Sequence, residues 1–294
     1  MVRMIFKRKI NKTPLNKGWS NDQKFILSSS EGKVLLRVLE KDKFDRKMKE
    51  LNYLSTLDLG EVRFSEPISV ELTKDKVHYT TTYIEGNDLD EILESLDPQE
   101  QIRLGHQAGR VLKEIHTQIR VDDDGSWAKR FSAKLDRKIE SYEKSGFHFD
   151  HDRVLIEKLI SLKPYLNGRP MSFQHGDYHI GNFLLGADGN LAILDFDRWD
   201  IGDPWEEFNR LVWCREKSPL FSSAMIDAYF DFEIPKDFFE LLFLYVGSNA
   251  VGSIAWAQGY GDQEVEVMMR LIRQFDEDTD HFTRIRPHWY SPTQ

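Results

Sequence analysis

The segment His175-Gly176-Asp177-Tyr178-His179-Ile180-Gly181-Asn182 is followed by Ile193-Leu194-Asp195-Phe196-Asp197. An aspartate, a nearby asparagine and a second aspartate beyond a short hairpin are the polar groups that phosphoryl transfer to a hydroxyl requires. A carboxylate at Asp177 would orient the attacking hydroxyl and take its proton. The amide oxygen of Asn182 and the carboxylate of Asp195 are hard donors suited to magnesium, which binds few protein ligands and completes its shell with water and phosphate. Taken singly, Asp177 and Asn182 are ordinary turn residues and Asp195 an ordinary strand end. The set of three around an apolar hairpin is what points to chemistry. His175 is expected to fix the loop through a ring hydrogen bond, and Asp203-Pro204 to start a helix.

These groups need rigid elements beneath them. Met171-Ser172-Phe173, Asn182 to Leu185 and Leu191 to Leu194 read as short strands, the last two flanking the turn Ala187-Asp188-Gly189-Asn190. Upstream, Lys24 to Leu27 and Lys33 to Leu39 read as strands, and Lys43 to Leu57 as a helix with Phe44, Met48, Leu51 and Leu54 on one face. Ile68 to Leu72 and Val77 to Ile84 form a hairpin around Lys74-Asp75-Lys76, and Gly86 lets the chain turn. Beyond it the pattern is helical. Asp97-Pro98 places an N-cap and a first-turn proline ahead of a helix reaching Ile119, with further helices near 128–145, 151–166, 204–216, 220–231, 236–258 and 262–281.

The chain of 294 residues is 40% apolar and 12% aromatic, enough for a substantial core. Its net charge of −9 argues against a nucleic-acid partner and is compatible with a cationic small substrate. Cys214 sits among Leu211, Val212 and Trp213 and reads as a buried structural thiol. The basic N-terminus lacks an apolar run after it, and the apolar stretch Phe238 to Tyr260 is broken by polar residues, so neither a secretory signal nor a membrane span is expected. A cytoplasmic location follows as an expectation.

The order His-Gly-Asp-x-x-x-Gly-Asn, Ile-Leu-Asp-Phe-Asp, then Gly202-Asp203-Pro204 resembles the aminoglycoside phosphotransferase and choline kinase-like family of small-molecule kinases. The resemblance implies an α+β, bilobal, protein-kinase-like fold. Residues 1–85 would form a nucleotide-binding lobe, mostly antiparallel sheet plus one helix, and residues 86–294 a larger, mainly helical lobe for catalysis and substrate. It implies ATP, with GTP as the alternative, and Mg2+. It places Arg37 on the α- and β-phosphates, Glu50 as the helix partner of that cation, Ser20 in a nucleotide-covering loop, and Thr82 and Ile84 at the adenine hinge. Arginine departs from the lysine of protein kinases, and its planar fork changes the phosphate contact. Asp200, Glu206 and Glu207 fall in the region that forms the acceptor pocket in relatives, and His116 is expected as a packed histidine.

The resulting expectation is direct transfer of a phosphoryl group to a hydroxyl of a small molecule, with no nucleic-acid or membrane partner. An aminoglycoside is the favoured acceptor, since pocket carboxylates would suit a polyamine. A choline-like compound, amino alcohol, sugar or macrolide is the runner-up. A nucleotide-binding module that has lost catalysis is a third reading. A protein kinase is disfavoured by Gly-Asp-Pro and by the lack of an Ala-Pro-Glu segment.

Overall fold

The computed structural model describes residues 10–15 and 22–293. In chain order the strands and helices are β1 (Asn11–Pro14), β2 (Gln23–Ser29), β3 (Gly32–Glu40), α1 (Phe44–Leu54), β4 (Arg63–Phe64), β5 (Pro67–Leu72), β6 (Lys76–Thr82), β7 (Asn87–Asp88), α2 (Leu89–Ile92) and α3 (Pro98–Gln118). They continue with α4 (Trp127–Ser145), α5 (Asp152–Leu162), β8 (Ser172–Gln174), β9 (Phe183–Leu185), β10 (Leu191–Ile193), β11 (Asp200–Gly202), α6 (Leu211–Lys217), α7 (Pro219–Tyr229), α8 (Phe238–Ala257) and α9 (Asp262–Asp278). The chain groups into two compact units, Met1–Asn87 with Phe183–Phe196, and Asp88–Asn182 with Asp197–Gln294.

The first unit is built on an antiparallel sheet in the order β1-β2-β3-β6-β5. Alternation along β3 buries Val34 and Leu36 with Leu27 in one cluster. Leu39 joins Val77 and Tyr79 in a second, against Phe44 at the start of α1. The expected hairpin 68–84 is present, with β5 and β6 paired from Pro67↔Thr81 to Leu72↔Val77. The β9–β10 hairpin, which the sequence boundary at 85 assigns to the helical part, groups here. Its strand β10 runs parallel to β4, with Ala192 opposite Arg63 and Ile193 opposite Phe64. Leu184 and Ala192 also bury Ile84. Gly86, expected to turn the chain, is needed for a close approach instead. A Cβ there would lie 2.8 Å from the carbonyl oxygen of Leu185.

The second unit is mainly helical. Asp97 caps α3, its carboxylate accepting from Gln99 N at 2.8 Å. Helix α3 packs on α7 with unusual closeness, because Gly105 and Gly109 present bare backbone to Phe221 and Met225. The apolar stretch read as a buried helix is α8, with Leu241, Leu244, Tyr245 and Val251 buried. No helix among the described residues is long and apolar enough to cross a membrane. The helix expected at 204–216 is split into a 3-10 segment, Pro204–Arg210, followed by α6. The strand β1 and the short helix α2 were not foreseen, because neither is long enough to show a period.

Candidate active site

In the helical unit, Asp177 follows β8 on a loop held at several points. His175 is fully buried and accepts from Asp177 N at 3.2 Å, the role expected of it. Tyr178 is buried as well and donates to the carbonyl of Ala108 in α3 at 2.8 Å. Gly176 lies at φ +83°, where a Cβ would come within 2.0 Å of the Arg198 carbonyl oxygen, so glycine is required. Its N–H donates to Glu207 Oε1 at 2.9 Å. Asn182 donates its amide N–H to the Asp177 carbonyl at 2.8 Å. That orientation leaves the amide oxygen of Asn182 without a hydrogen bond among the described residues, as a hard donor for a metal must be.

The Asp177 side chain is 18% exposed and faces three cationic or ionisable groups. Arg210 Nε lies 3.3 Å from Oδ1, Arg198 Nη1 3.7 Å from Oδ1 and His179 Nε2 3.7 Å from Oδ2. Burial alone would favour the neutral acid. The nearby His179 ring and the charges of Arg210 and Arg198 outweigh it and hold the carboxyl well below the usual carboxylate range. Asp177 is therefore an anion at every physiological pH: a weak base, but a well-oriented acceptor.

In the sheet unit, Arg37 is buried on β3. Its guanidinium pairs with Asp22 and lies 3.7 Å from Asp195 Oδ1. Asp195 adopts φ +63°, a left-handed conformation that a non-glycine residue occupies at a cost of about 1–2 kcal/mol. Its N–H donates to Ser65 Oγ at 3.2 Å, and its side chain is half exposed. Glu50 on α1 is buried and accepts from Lys47 Nζ and from the Tyr79 hydroxyl, both at 2.6 Å. Thr82 is a structural clasp, its N–H on the Glu66 carbonyl at 2.9 Å and its hydroxyl on the Phe64 carbonyl at 3.0 Å. Ser20 lies outside the described residues.

The profile of the phosphotransferase enzyme family matches residues 12–238, most of the chain. The chain belongs to that family. No curated protein matches this phosphotransferase in sequence. Among solved structures it is similar to a thermostable mutant of aminoglycoside phosphotransferase APH(4)-Ia, at 13% identity and TM-score 0.68, covering 93% of this chain and 96% of that one. The same mutant scaffold has been solved in a ternary complex with ADP and hygromycin B. Aminoglycoside phosphotransferase APH(2'')-Ib, ADP-bound, matches at 17% identity and TM-score 0.62, covering 92% and 95% of the two chains. A protein assigned as a fructosamine-3-kinase from Haemophilus somnus matches at 13% identity and TM-score 0.63, covering 91% and 92%. At these identities the likeness establishes the fold, which is protein-kinase-like.

Of the three carboxylates expected to face an acceptor, Glu206 and Glu207 are engaged within the fold. Glu207 is buried, one oxygen on Gly176 N and the other 3.7 Å from His116 Nε2, so it supports the Asp177 loop from below. Glu206 accepts from Lys134 Nζ at 2.9 Å and Gln174 Nε2 at 3.2 Å. Asp200 is exposed on β11, its Oδ1 accepting from Ile201 N at 2.8 Å. Asp203 caps the segment that follows, as expected, and is also clamped by Arg169 through two bonds of 2.6 and 2.7 Å. His116 is a packed histidine, its Nδ1 2.9 Å from the Tyr229 hydroxyl. Burial pushes the Cys214 thiol up to about 12, in keeping with a structural role.

Sequence reasoning missed Arg198, Arg210 and Lys134, because nothing local marks a cation that meets its partner only after folding. It also missed Lys47, although Lys47-x-x-Glu50 is a helical i, i+3 pair that charge spacing could have found.

Proposed function

We propose that this phosphotransferase moves the γ-phosphoryl group of ATP directly to a hydroxyl of a small molecule. The observation that carries the reading is Asp177, an anionic carboxylate on a loop tied down by His175, Tyr178, Asn182 and Glu207. In this role Asp177 accepts a hydrogen bond from the acceptor hydroxyl, aligns its oxygen and takes the proton late. A depressed carboxyl suits that task, because a loose phosphoryl-transfer transition state needs positioning more than strong basicity.

Arg37 supplies donors for the α- and β-phosphates, and buried Glu50 keeps α1 attached to the sheet beside it. Thr82 shapes the hinge strand, and Ile84 forms an apolar wall for the base. Asn182 and Asp195 each offer an oxygen donor that suits Mg2+, and the amide oxygen of Asn182, without a hydrogen bond among the described residues, supports the fit. An ion held by these donors would neutralise phosphate charge.

For the acceptor, the side chains around Asp177 favour a neutral or anionic hydroxyl compound such as a sugar. Arg198 and Arg210 stand beside Asp177, where a polyamine would need free carboxylates, and Glu206, paired with Lys134, and Glu207 are already engaged. An aminoglycoside is the second reading, supported by the hygromycin B complex of the related scaffold.

ADP release measured with ATP and magnesium across sugars, hydroxy acids, choline, macrolides and aminoglycosides separates these. Asp177→Asn should cut kcat on any acceptor by about 10²–10⁴. Unchanged turnover in that variant overturns the role of Asp177, and turnover confined to aminoglycosides overturns the acceptor preference. ATP binding with no turnover across the panel would identify a nucleotide-binding module instead.

A further inference from the structure

Asp276, near the end of α9, receives two histidines from separate parts of the helical unit. His151 Nδ1 lies 3.0 Å from its Oδ1 and His281 Nδ1 2.9 Å from its Oδ2. The two imidazole rings stand 4.3 Å apart, tilted by 43°. All three ligand-capable atoms fall within 4.8 Å of one another. Neither the phosphotransfer chemistry nor the family match makes use of this cluster.

We propose that His151, Asp276 and His281 form a binding site for a divalent transition metal of the zinc class. Nitrogen and oxygen ligands at about 2.0–2.1 Å from a tetrahedral ion are about 3.3 Å from each other. Each ring nitrogen lies 3.0 or 2.9 Å from its own carboxylate oxygen, so an ion between the two rings meets the carboxylate from both sides, and the ligand atoms, all within 4.8 Å of one another, draw together on binding. Two imidazoles and one carboxylate are a donor set that zinc accepts, with water at the fourth position. The metal takes the place of the two N–H donors on Asp276. Each ring stays neutral by carrying its proton on Nε2 instead of Nδ1, so binding needs no net proton release from a neutral ring.

The cluster is also held in place before any ion arrives. Phe149, Phe275 and Phe282 are buried, and each lies within two positions of one of the three ligands. Phe282 packs edge-on to Phe149 at 6.2 Å and against Phe275 at 5.3 Å. The same aromatic cluster thus fixes the three turns that bear the ligands. His151 at φ +61° and His281 at φ +56° both occupy left-handed backbone, which non-glycine residues visit rarely. The neighbouring Asp280 is held by His288 at 2.6 Å and leaves the site to the other three. A metal here would clasp the start of α5 to the end of α9 and the segment after it.

The test is titration of the tag-free, full-length protein with Co2+ and Zn2+ against His281→Asn and His151→Asn variants. Asparagine tolerates left-handed backbone, so these variants remove the rings without adding backbone strain. The expected result is one Co2+ bound per chain with the strong visible absorption of a tetrahedral site, displaced by Zn2+. The thermal midpoint should rise with metal in the parent and not in either variant. Circular dichroism without metal checks that the variants are folded. A metal-free Asp276→Asn protein gives a third ligand deletion, which should weaken Co2+ binding. No stoichiometric binding by the parent, or equal binding by a folded His151→Asn/His281→Asn double variant, overturns the proposal.

Discussion

The N–H of Gly176 donates to Glu207 Oε1 across 2.9 Å, so a buried carboxylate holds the backbone immediately before Asp177. The other oxygen of Glu207 lies 3.7 Å from His116 Nε2, and neither of those two atoms has a hydrogen-bond partner among the described residues. The loop carrying the proposed catalytic carboxylate is thus positioned from beneath by a residue that sequence reading had assigned to the acceptor.

Glu207→Ala should therefore act on turnover through geometry. It removes the acceptor for the half-buried Gly176 N–H, at a cost of about 1 kcal/mol in stability. A displaced loop of this kind lowers kcat by about a hundredfold. The nucleotide KM should change little. Glu207→Gln retains an oxygen for Gly176 and should recover much of the loss. Steady-state kinetics and thermal melts of the two variants check this; equal kcat in Glu207→Ala and the parent would remove the positioning role.

Gly109→Ala should destabilise the helical unit. The added methyl would sit 2.2 Å from the Met225 carbonyl oxygen in α7, and backbone can yield only by moving the helix. Overpacking of this sort costs about 1–3 kcal/mol. Urea denaturation reads it as a lower midpoint with an unchanged slope.

Lys138 gives a pH signature. Burial first, then the charges of Lys134 and Arg210, lower its pKa from 10.5 to about 7, against an opposing contribution from Glu206. The folded value lies below the unfolded one, so between those two pH values the unfolded chain binds more protons and stability rises with pH. Below about pH 7 both states carry the proton and the full cost of the buried charge is present. Lys138→Met also loses the bonds to Ser248 and Asn249, at 3.2 and 2.9 Å, which offsets its stability by a constant. The difference in stability, parent minus variant, should climb from pH 7 toward pH 10 and lie flat below pH 7. A flat difference across the whole range would show that Lys138 titrates normally.

Much of the architecture was legible because it is written locally. Asp97-Pro98 and Asp203-Pro204 carry their own capping chemistry, and both cap as read. The hairpin around Lys74 to Lys76 and the helix from Phe44 follow hydrophobic period. The 3-10 character of Pro204–Arg210 was not legible. It accompanies Glu207 reaching Gly176 and Arg210 reaching Asp177, contacts with distant parts of the chain. The closeness of α3 and α7 was written in Gly105 and Gly109, but small residues show their purpose only against a partner helix.

Residue type and spacing alone pointed to a phosphotransferase, through the order of Asp177, Asn182, Asp195 and Gly202-Asp203-Pro204, and the family match over residues 12–238 bears that class out. Tertiary structure alone decided the electrostatics around them. Arg198, just before β11, and Arg210, at the end of the 3-10 segment, meet Asp177 only after the chain has folded back, and Asp22 meets Arg37 only across paired strands. Charge is a property of a residue, but its effect depends on distance and burial. A carboxylate read from sequence as an acceptor contact could therefore become, once buried against Gly176, part of the scaffold.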